Sequence, residues 1–192
     1  MAIGSLIATA TSANFAFMIA SKIFMLALSF LASNPDNVEE KIQWISFEKA
    51  VELQKDNPKK VLIDMYTDWC HWCKVMDKNT FKHPKVASYI NENFYAVKLD
   101  GEYKGDIEFD NHTFKFVQSG RRGYHELAAA ITNGQLSYPT IVFMDEKMRI
   151  ITLLPGYKDA KGFEPIMNFV ATGAYEVKSW DEFSASFESQ LD

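Results

Sequence analysis

Only two cysteines occur in this chain, Cys70 and Cys73, and two residues separate them. The apolar run at residues 61–63 has the composition of a buried strand, and residues 74–78 favour a helix. The pair is therefore predicted at a strand-to-helix junction, with Cys70 near the helix N-terminus. The unpaired N–H groups and the positive dipole end found there favour a thiolate. This predicts Cys70 as the attacking thiol and Cys73, one helical turn deeper, as the resolving thiol.

Other uses of a cysteine pair have different requirements. A structural zinc site needs four ligands, and apart from His71 the histidines His83, His112 and His125 lack paired spacing. Covalent haem attachment needs a histidine where the chain has Lys74. A purely structural disulfide across so short a loop constrains the unfolded chain little. The favoured interpretation is a redox-active pair without metal or other cofactor, with zinc and a structural disulfide as the minor alternatives.

The segment from Val61 to Lys74 resembles thioredoxin. Further features match in order and spacing: Lys98 in a strand-like segment, Tyr138-Pro139 before a strand, and Gly156 after the next strand. The resemblance covers roughly residues 41–172 and is strongest to bacterial exported thioredoxin-like proteins with a CxWC motif. It implies an α/β thioredoxin fold, in which helices flank a central mixed β-sheet.

The resemblance also implies roles for residues outside the cysteine pair. Asp64 would be a buried acid below the pair, and Lys98 would lie beside it on the neighbouring strand. Burial raises the pKa of a carboxyl group, so Asp64 could accept the proton that Cys73 loses. Pro139 would follow a cis peptide bond and bring the backbone of Tyr138 next to the sulfurs, where an extended substrate can pair. A solvent-facing Asp64 and a trans proline are the alternatives.

His71 and Trp72 replace the Gly-Pro pair that is usual in thioredoxin. A histidine between the cysteines can stabilise the thiolate and make the disulfide more oxidising. In protein disulfide isomerase the histidine occupies the second intervening position, so the effect of His71 stays open. Trp69 and Trp72 are predicted to form an apolar rim around Cys70 that suits peptide docking, with simple packing of Trp69 as the alternative.

Residues 1–33 carry one charged side chain, Lys22, and are otherwise apolar or small. This composition predicts a signal peptide or an N-terminal membrane anchor, and a periplasmic or other extracytoplasmic location. A start at Met18 would leave Lys22 ahead of an apolar core at residues 23–31. No clean cleavage site follows, so an uncleaved anchor to the inner membrane stays open, as does a buried helix of the domain. Residues 34–192 are predicted to form one thioredoxin-like domain.

Alternating patterns within the domain predict strands at 41–45, 61–63, 94–99, 140–144 and 150–154 and helices at 47–56, 70–79, 83–93, 124–132 and 180–191. The region 101–119 exceeds the thioredoxin pattern and is predicted to be a β-hairpin insertion with its turn at 110–112. The exposed side of this hairpin is a candidate surface for a substrate or partner. The alternative is a hairpin that only covers the edge of the core. The last helix is predicted to pack through Phe183, Phe187 and Leu191.

Composition narrows the function further. A net charge of −5 without a basic block argues against nucleic acid as a partner. A hydrophobic content of 47% in 192 residues suffices for one domain with a full core. The sequence therefore predicts a thiol:disulfide oxidoreductase that acts on protein or peptide thiols and disulfides. An unidentified redox partner would donate or accept its electrons. Reductase or exchange activity is favoured over oxidase or isomerase activity. A binding or chaperone-like module and a peroxidase are the other two hypotheses.

Overall fold

The computed structural model describes residues 41–191, so the predicted export segment at 1–33 lies outside the described residues. Its elements in chain order are α1 (Phe47–Leu53), β1 (Val61–Tyr66), α2 (His71–Asn79), α3 (Pro84–Asn93), β2 (Tyr95–Asp100), β3 (Ile107–Phe109), β4 (His112–Phe114), β5 (Phe116–Ser119), β6 (Arg122–His125), α4 (Glu126–Ile131), β7 (Thr140–Met144), β8 (Ile150–Pro155), α5 (Ala160–Ala171), a 3-10 turn (Ala174–Glu176) and α6 (Trp180–Ala185). No helix within this part of the chain is long and apolar enough to cross a membrane.

A four-stranded mixed sheet with the order β2-β1-β7-β8 forms the centre of the domain. Strand β1 pairs with β2 in parallel and with β7 in antiparallel orientation. Strands β7 and β8, both predicted from the sequence, form an antiparallel hairpin. The predicted central mixed sheet is thus confirmed, but its parallel pair, β1 with β2, lies at one edge and not in the middle.

Helices cover both faces of this sheet and create two hydrophobic clusters. Leu62 packs with Met76 and Phe163 on one face, whereas Ile63 packs with Phe47 on the other. Side chains alternate along a strand, so Asp64 points to the same face as Leu62. That face is covered by α2, which carries Cys73 on its first turn. The central strand therefore directs one carboxyl group toward the cysteine-bearing helix.

The predicted first strand at 41–45 is wrong. Only Ile45 forms a β-bridge, with Val97 of β2. The amide group of Asn91 accepts from the backbone N of Gln43 at 2.8 Å and donates to the carbonyl oxygen of Lys41 at 2.9 Å. These side-chain bonds replace the backbone ladder, so the segment follows the sheet edge without becoming a strand.

The insertion contains two hairpins and not the single one predicted. The first pairs β3 with β4, around the predicted turn, where Asp110 and Asn111 have positive φ angles. The second pairs β5 with β6. Lys115 separates them, because its backbone N donates to the Glu126 carboxylate at 2.8 Å and its carbonyl oxygen accepts from the Glu126 N at 2.9 Å. These bonds take Lys115 out of the first ladder.

Three helix boundaries also differ from the prediction. Helix α1 ends at Leu53 and not at residue 56, because residues 54–56 form a turn. Helix α4 begins at Glu126 and not at Tyr124, because Tyr124 pairs with Val117 in the second hairpin. The last helix ends at Ala185, and the chain after it folds back onto the domain as an irregular segment. In that segment the backbone N of Gln190 donates to the buried carboxylate of Glu164 at 2.7 Å.

The aromatic packing predicted for the C-terminal helix is nevertheless present. The Phe183 ring lies 5.0 Å from the ring of Phe169, and Phe187 lies 5.7 Å from Phe183. Leu191 is buried in the core. The predicted side chains therefore pack against the domain, although the helix that carries them is shorter than predicted.

Candidate active site at the end of the central strand

Cys70 and Cys73 are joined by a disulfide at the start of α2, with their Cα atoms 5.3 Å apart. Cys70 is the N-cap residue of this helix, and its sulfur accepts a hydrogen bond from the backbone N of Cys73 at 3.0 Å. Both residues are buried, at 4% and 3% exposure, so exposure alone does not distinguish their roles. Position does, because the N-cap sulfur faces the free N–H groups and the positive helix end that stabilise a thiolate.

Asp64 is the buried acid of the site, with 1% of its surface exposed. One carboxylate oxygen, Oδ2, lies 2.6 Å from the Nζ of Lys98, its register partner on β2. The other oxygen, Oδ1, is buried without a hydrogen-bond partner. Burial raises the pKa of Asp64 to about 6, against the opposing effect of the Lys98 charge. The alternative of a solvent-facing acid is excluded, and the carboxyl group has a free oxygen that can hold a proton.

Lys98 connects this buried acid to a second carboxylate on α2. Its Nζ lies 2.5 Å from Oδ1 of Asp77, whose side chain is 42% exposed. Three rings surround the ammonium group at 4.9 to 5.9 Å from their centroids, those of Tyr66, Trp44 and Phe81. Burial by itself lowers the pKa of Lys98, but the charges and hydrogen bonds of the two carboxylates outweigh it and raise the pKa. The cation therefore stays protonated beneath the disulfide.

A groove opens beside this cation. It has a volume of about 350 Å³ and includes Trp44, Asp77, Phe81 and Lys98 in its lining. Asp77 and Lys98 thus contact solvent through the groove, while Asp64 remains enclosed behind them. The buried carboxylate of Asp64 is therefore linked through the Lys98 ammonium group to a carboxylate at the surface, that of Asp77.

Two exposed tryptophans lie in the motif, Trp69 directly before Cys70 at 49% exposure and Trp72 directly before Cys73 at 55%. The indole N of Trp69 donates to the carboxylate of Glu102 at 2.9 Å, and its ring packs edge-on against Tyr138 at 5.9 Å. The guanidinium carbon of Arg122 lies 4.0 Å from the centre of the same ring. We call Trp69 and Trp72, together with the rings that they contact, the aromatic rim.

The second half of the rim lies along the first turn of α2. The Trp72 ring packs against Tyr157 at 5.4 Å and contacts the exposed His71 ring at 5.7 Å. Both intervening residues of the motif are therefore displayed at the surface, and neither fills the core.

The peptide bond between Tyr138 and Pro139 is cis, as the resemblance implies. The Tyr138 ring is half-buried over Gly101, where an added Cβ would lie 2.1 Å from the tyrosine oxygen. Burial raises the pKa of Tyr138 to about 12, and the nearby carboxylates of Glu102 and Asp100 add to this shift. The phenol is therefore neutral at physiological pH and packs as an uncharged ring.

The structure joins Asp64 to Lys98 and Trp69 to Tyr138, but several partners of the predicted site residues were not predicted from the sequence. Asp77 follows Cys73 by four residues, a spacing that places both on one helix face and could have identified it. Glu102 and Arg122 carry no comparable signal, because they reach Trp69 from the insertion. Within residues 41–191 no group of three or more His, Cys, Asp or Glu side chains is arranged to hold a metal ion.

Comparison with known proteins relates this chain to one family. The model of Thioredox_DsbH, described as a protein of unknown function, DUF255, matches residues 30–171. An uncharacterized protein of Caenorhabditis elegans, B0495.5, is 29% identical over 130 residues, which are 59% of this chain and 17% of that protein. The thiol:disulfide interchange protein DsbD of Pectobacterium atrosepticum is 27% identical over 110 residues, 56% of this chain and 16% of DsbD. The chain thus spans less than a fifth of the length of these relatives.

A solved structure supports the fold independently. A thioredoxin-fold protein from Helicobacter pylori superposes with a TM-score of 0.52 and 21% sequence identity. The superposition covers 78% of this chain and 89% of that protein. At this level of identity the likeness concerns the fold alone, and it confirms the thioredoxin fold that the sequence predicts.

Proposed function

Because the chain belongs to the Thioredox_DsbH family and has the thioredoxin fold, we propose that it is a thiol:disulfide oxidoreductase acting on protein disulfides. The observation that carries the proposal is the disulfide between Cys70 and Cys73 at the start of α2, with a buried acid on the strand that leads to it. The likeness to a DsbD protein, whose name describes thiol:disulfide interchange, supports the same class of reaction.

The proposed reaction uses the reduced pair. The Cys70 thiolate attacks one sulfur of a substrate disulfide, forming a mixed disulfide and releasing the other substrate sulfur as a thiolate, which takes up a proton. Cys73 then loses its proton and attacks the Cys70 sulfur. The second substrate sulfur leaves as a thiol, and the protein disulfide forms again. Two electrons pass to the substrate, and a dithiol partner must return them to the pair.

Asp64 is the proposed acceptor of the Cys73 proton. Its pKa of about 6 is close enough to neutrality for both proton uptake and release, and its Oδ1 atom has no other partner. Lys98 stabilises the carboxylate between turnovers. This proton path supports reduction or exchange as the direction. His71 and an oxidising compartment would instead favour oxidation or isomerisation.

Trapping the mixed disulfide tests the proposal. Reduced Cys73→Ser should form a stable adduct through Cys70 when mixed with a disulfide-bonded peptide, and intact mass should increase by one peptide chain. The matched Cys70→Ser variant should form far less adduct, because its remaining thiol is not at the helix N-cap. Equal trapping by both variants, or by neither, would contradict the mechanism.

A binding or chaperone-like function is the second candidate, and the exposure of Trp69 and Trp72 favours it. The double variant Cys70→Ser, Cys73→Ser separates the two functions. A binder keeps its ability to suppress aggregation of an unfolded protein after this change. An oxidoreductase loses its turnover of disulfides.

We also propose that the protein is exported, on the basis of the apolar segment at residues 23–31. Fractionation of cells that express the full chain, followed by the intact mass of the recovered protein, tests this. Recovery of the uncleaved chain in the cytoplasmic fraction would contradict export. Membrane recovery without cleavage would indicate an anchor.

A further inference from the structure

The insertion of this domain contacts Trp69, the neighbour of Cys70, through two side chains, Glu102 and Arg122. Its two ends are joined, because the backbone N of His125 donates to the carbonyl oxygen of Gly101 at 2.7 Å. From this base the second hairpin brings Arg122 over Trp69, the residue that directly precedes Cys70. Arg122 forms no ion pair with any described residue, so its guanidinium group is committed to the ring.

The hairpin holds Arg122 in a defined place. The side chain of Gln118 donates to the carbonyl oxygens of Gly120 at 2.8 Å and Arg122 at 2.5 Å, which fixes the turn. The Phe116 ring occupies the space beside Gly123, where an added Cβ would lie 2.2 Å from it. Lys104 covers the other part of that ring, with its Nζ 3.0 Å from the centroid. The backbone that carries Arg122 is therefore packed into the insertion.

Arg122 in turn fixes the orientation of Trp69. The indole is held at its N–H edge by Glu102 and contacts Tyr138 edge-on, and Arg122 covers one face. A planar guanidinium group stacks on an indole with both charge and dispersion, which an ammonium group does less well. About half of Trp69 remains exposed next to the disulfide. A ring held in this way offers a preorganised apolar surface to whatever approaches Cys70.

We propose that Arg122 is a positioning residue that gives the site its preference for polypeptide disulfides with apolar side chains beside their cysteines. It acts by holding Trp69 as a docking surface. The inference rests on the proposed oxidoreductase function. A small disulfide reaches Cys70 without contacting the indole, so it gains little from the stacked ring. A polypeptide gains the full contact.

The test compares Arg122→Ala with Arg121→Ala, which removes the neighbouring exposed charge without touching Trp69. Both variants and the parent reduce a disulfide-bonded peptide with apolar flanking residues, and also hydroxyethyl disulfide. For Arg122→Ala we expect the selectivity for the peptide, as the ratio of the two kcat/KM values, to fall about three- to tenfold through a higher peptide KM. Arg121→Ala should match the parent, and Arg122→Lys should recover part of the loss.

A double-mutant cycle shows whether Arg122 acts through the ring. In the Trp69→Ala background, adding Arg122→Ala should cause no further loss of selectivity. A loss of the same size in both backgrounds would mean that Arg122 binds the substrate directly, which overturns the positioning role. Equal selectivity of Arg122→Ala and Arg121→Ala in an active protein would overturn this inference alone. A parent that reduces neither substrate would overturn the proposed function as well.

Discussion

The two sides of the disulfide are built in opposite ways. Below it, Asp64 and Lys98 face each other from neighbouring strands and are enclosed by helix and rings. Beside it, Trp69 is half-exposed and is held by residues that are distant in the sequence. Strand register fixes the buried side, so its charges cannot move independently of the sheet. The rim depends on an insertion, so recognition can change while the buried chemistry is kept.

The two sides should also respond differently to substitution. Changes below the disulfide should alter stability and pH dependence, because they leave a charge buried without its partner. Changes at the rim should alter KM for polypeptides with little effect on stability, because exposed side chains contribute little to folding.

Removing the buried cation should have the largest effect. Lys98→Met leaves the Asp64 carboxylate enclosed without its ion pair, so we expect a loss of about 3–5 kcal/mol in the free energy of unfolding at neutral pH. Denaturant unfolding measures it. Lys74→Met, which removes an exposed cation from helix α2, should change stability by less than about 0.5 kcal/mol. Equal losses in the two variants would remove the distinction between the buried side and the surface.

The second-largest effect should be on the pH dependence of stability, which reports the raised pKa of Asp64. Its pKa is raised from 3.8 to about 6 in the folded state, so the folded protein binds the proton more tightly than the unfolded chain does. The stabilisation from this proton is complete below the unfolded pKa and is lost as pH rises through the folded pKa. Relative to Asp64→Asn, the parent should lose about 2.4 kcal/mol between pH 4 and pH 7 (about 1.4 kcal/mol per pKa unit).

Parallel denaturant titrations of the two proteins across this range measure that difference. The variant should be at least as stable as the parent at pH 7. A difference that stays constant with pH would show that Asp64 has an ordinary pKa in the folded protein. A difference that grows in favour of the parent as pH rises would show a lowered one.

Asp64→Asn should also slow one chemical step selectively. Resolution of the mixed disulfide by Cys73 should slow about 100-fold, because general base catalysis is lost. Attack by Cys70 should not change, since it does not need that proton. Stopped-flow measurement of both phases tests this, with Asp68→Asn as the control that removes an exposed carboxylate nearby. Equal slowing of both phases would mean that Asp64 acts on the reactivity of Cys70 and not as a proton acceptor.

The smallest expected effect concerns the rim. Gly101→Ala places a methyl group where the Tyr138 ring lies, so the ring must shift away from Trp69. We expect a two- to fivefold increase in KM for a peptide disulfide, about 0.4–1 kcal/mol, with an unchanged pH profile. Gly162→Ala, in helix α5, should leave KM unchanged and controls for glycine replacement. A shift in the pH profile would mean that the rim and the buried acid are coupled.

The same division decides how much of the site could be predicted from sequence. Asp64 and Lys98 could be predicted because both lie at positions that match the resemblance to thioredoxin in order and spacing. Arg122 was not, since Phe116 and Val117 continue the alternating pattern of the preceding strand and Tyr124 fits an amphipathic helix. The deciding interaction is tertiary, between Lys115 and Glu126. No local pattern reports such a bond.

The failed strand at residues 41–45 has the same kind of cause. Its composition suits a β-strand, yet the Asn91 side chain from α3 takes the backbone groups that a neighbouring strand would need. The backbone groups of this segment thus find their hydrogen-bond partner in a residue far away in the sequence. Sequence patterns describe what a segment can do, and competition among distant partners decides what it does.

The groove that exposes Lys98 and Asp77 lies apart from the rim in its lining, which contains neither Trp69 nor Trp72. In the proposed reaction the polypeptide approaches at the rim, on surfaces that the groove does not share. A substrate bound at the rim therefore leaves Lys98 and Asp77 open to solvent. Separate openings would let the protein hold a substrate tightly while the charges beside Asp64 stay hydrated.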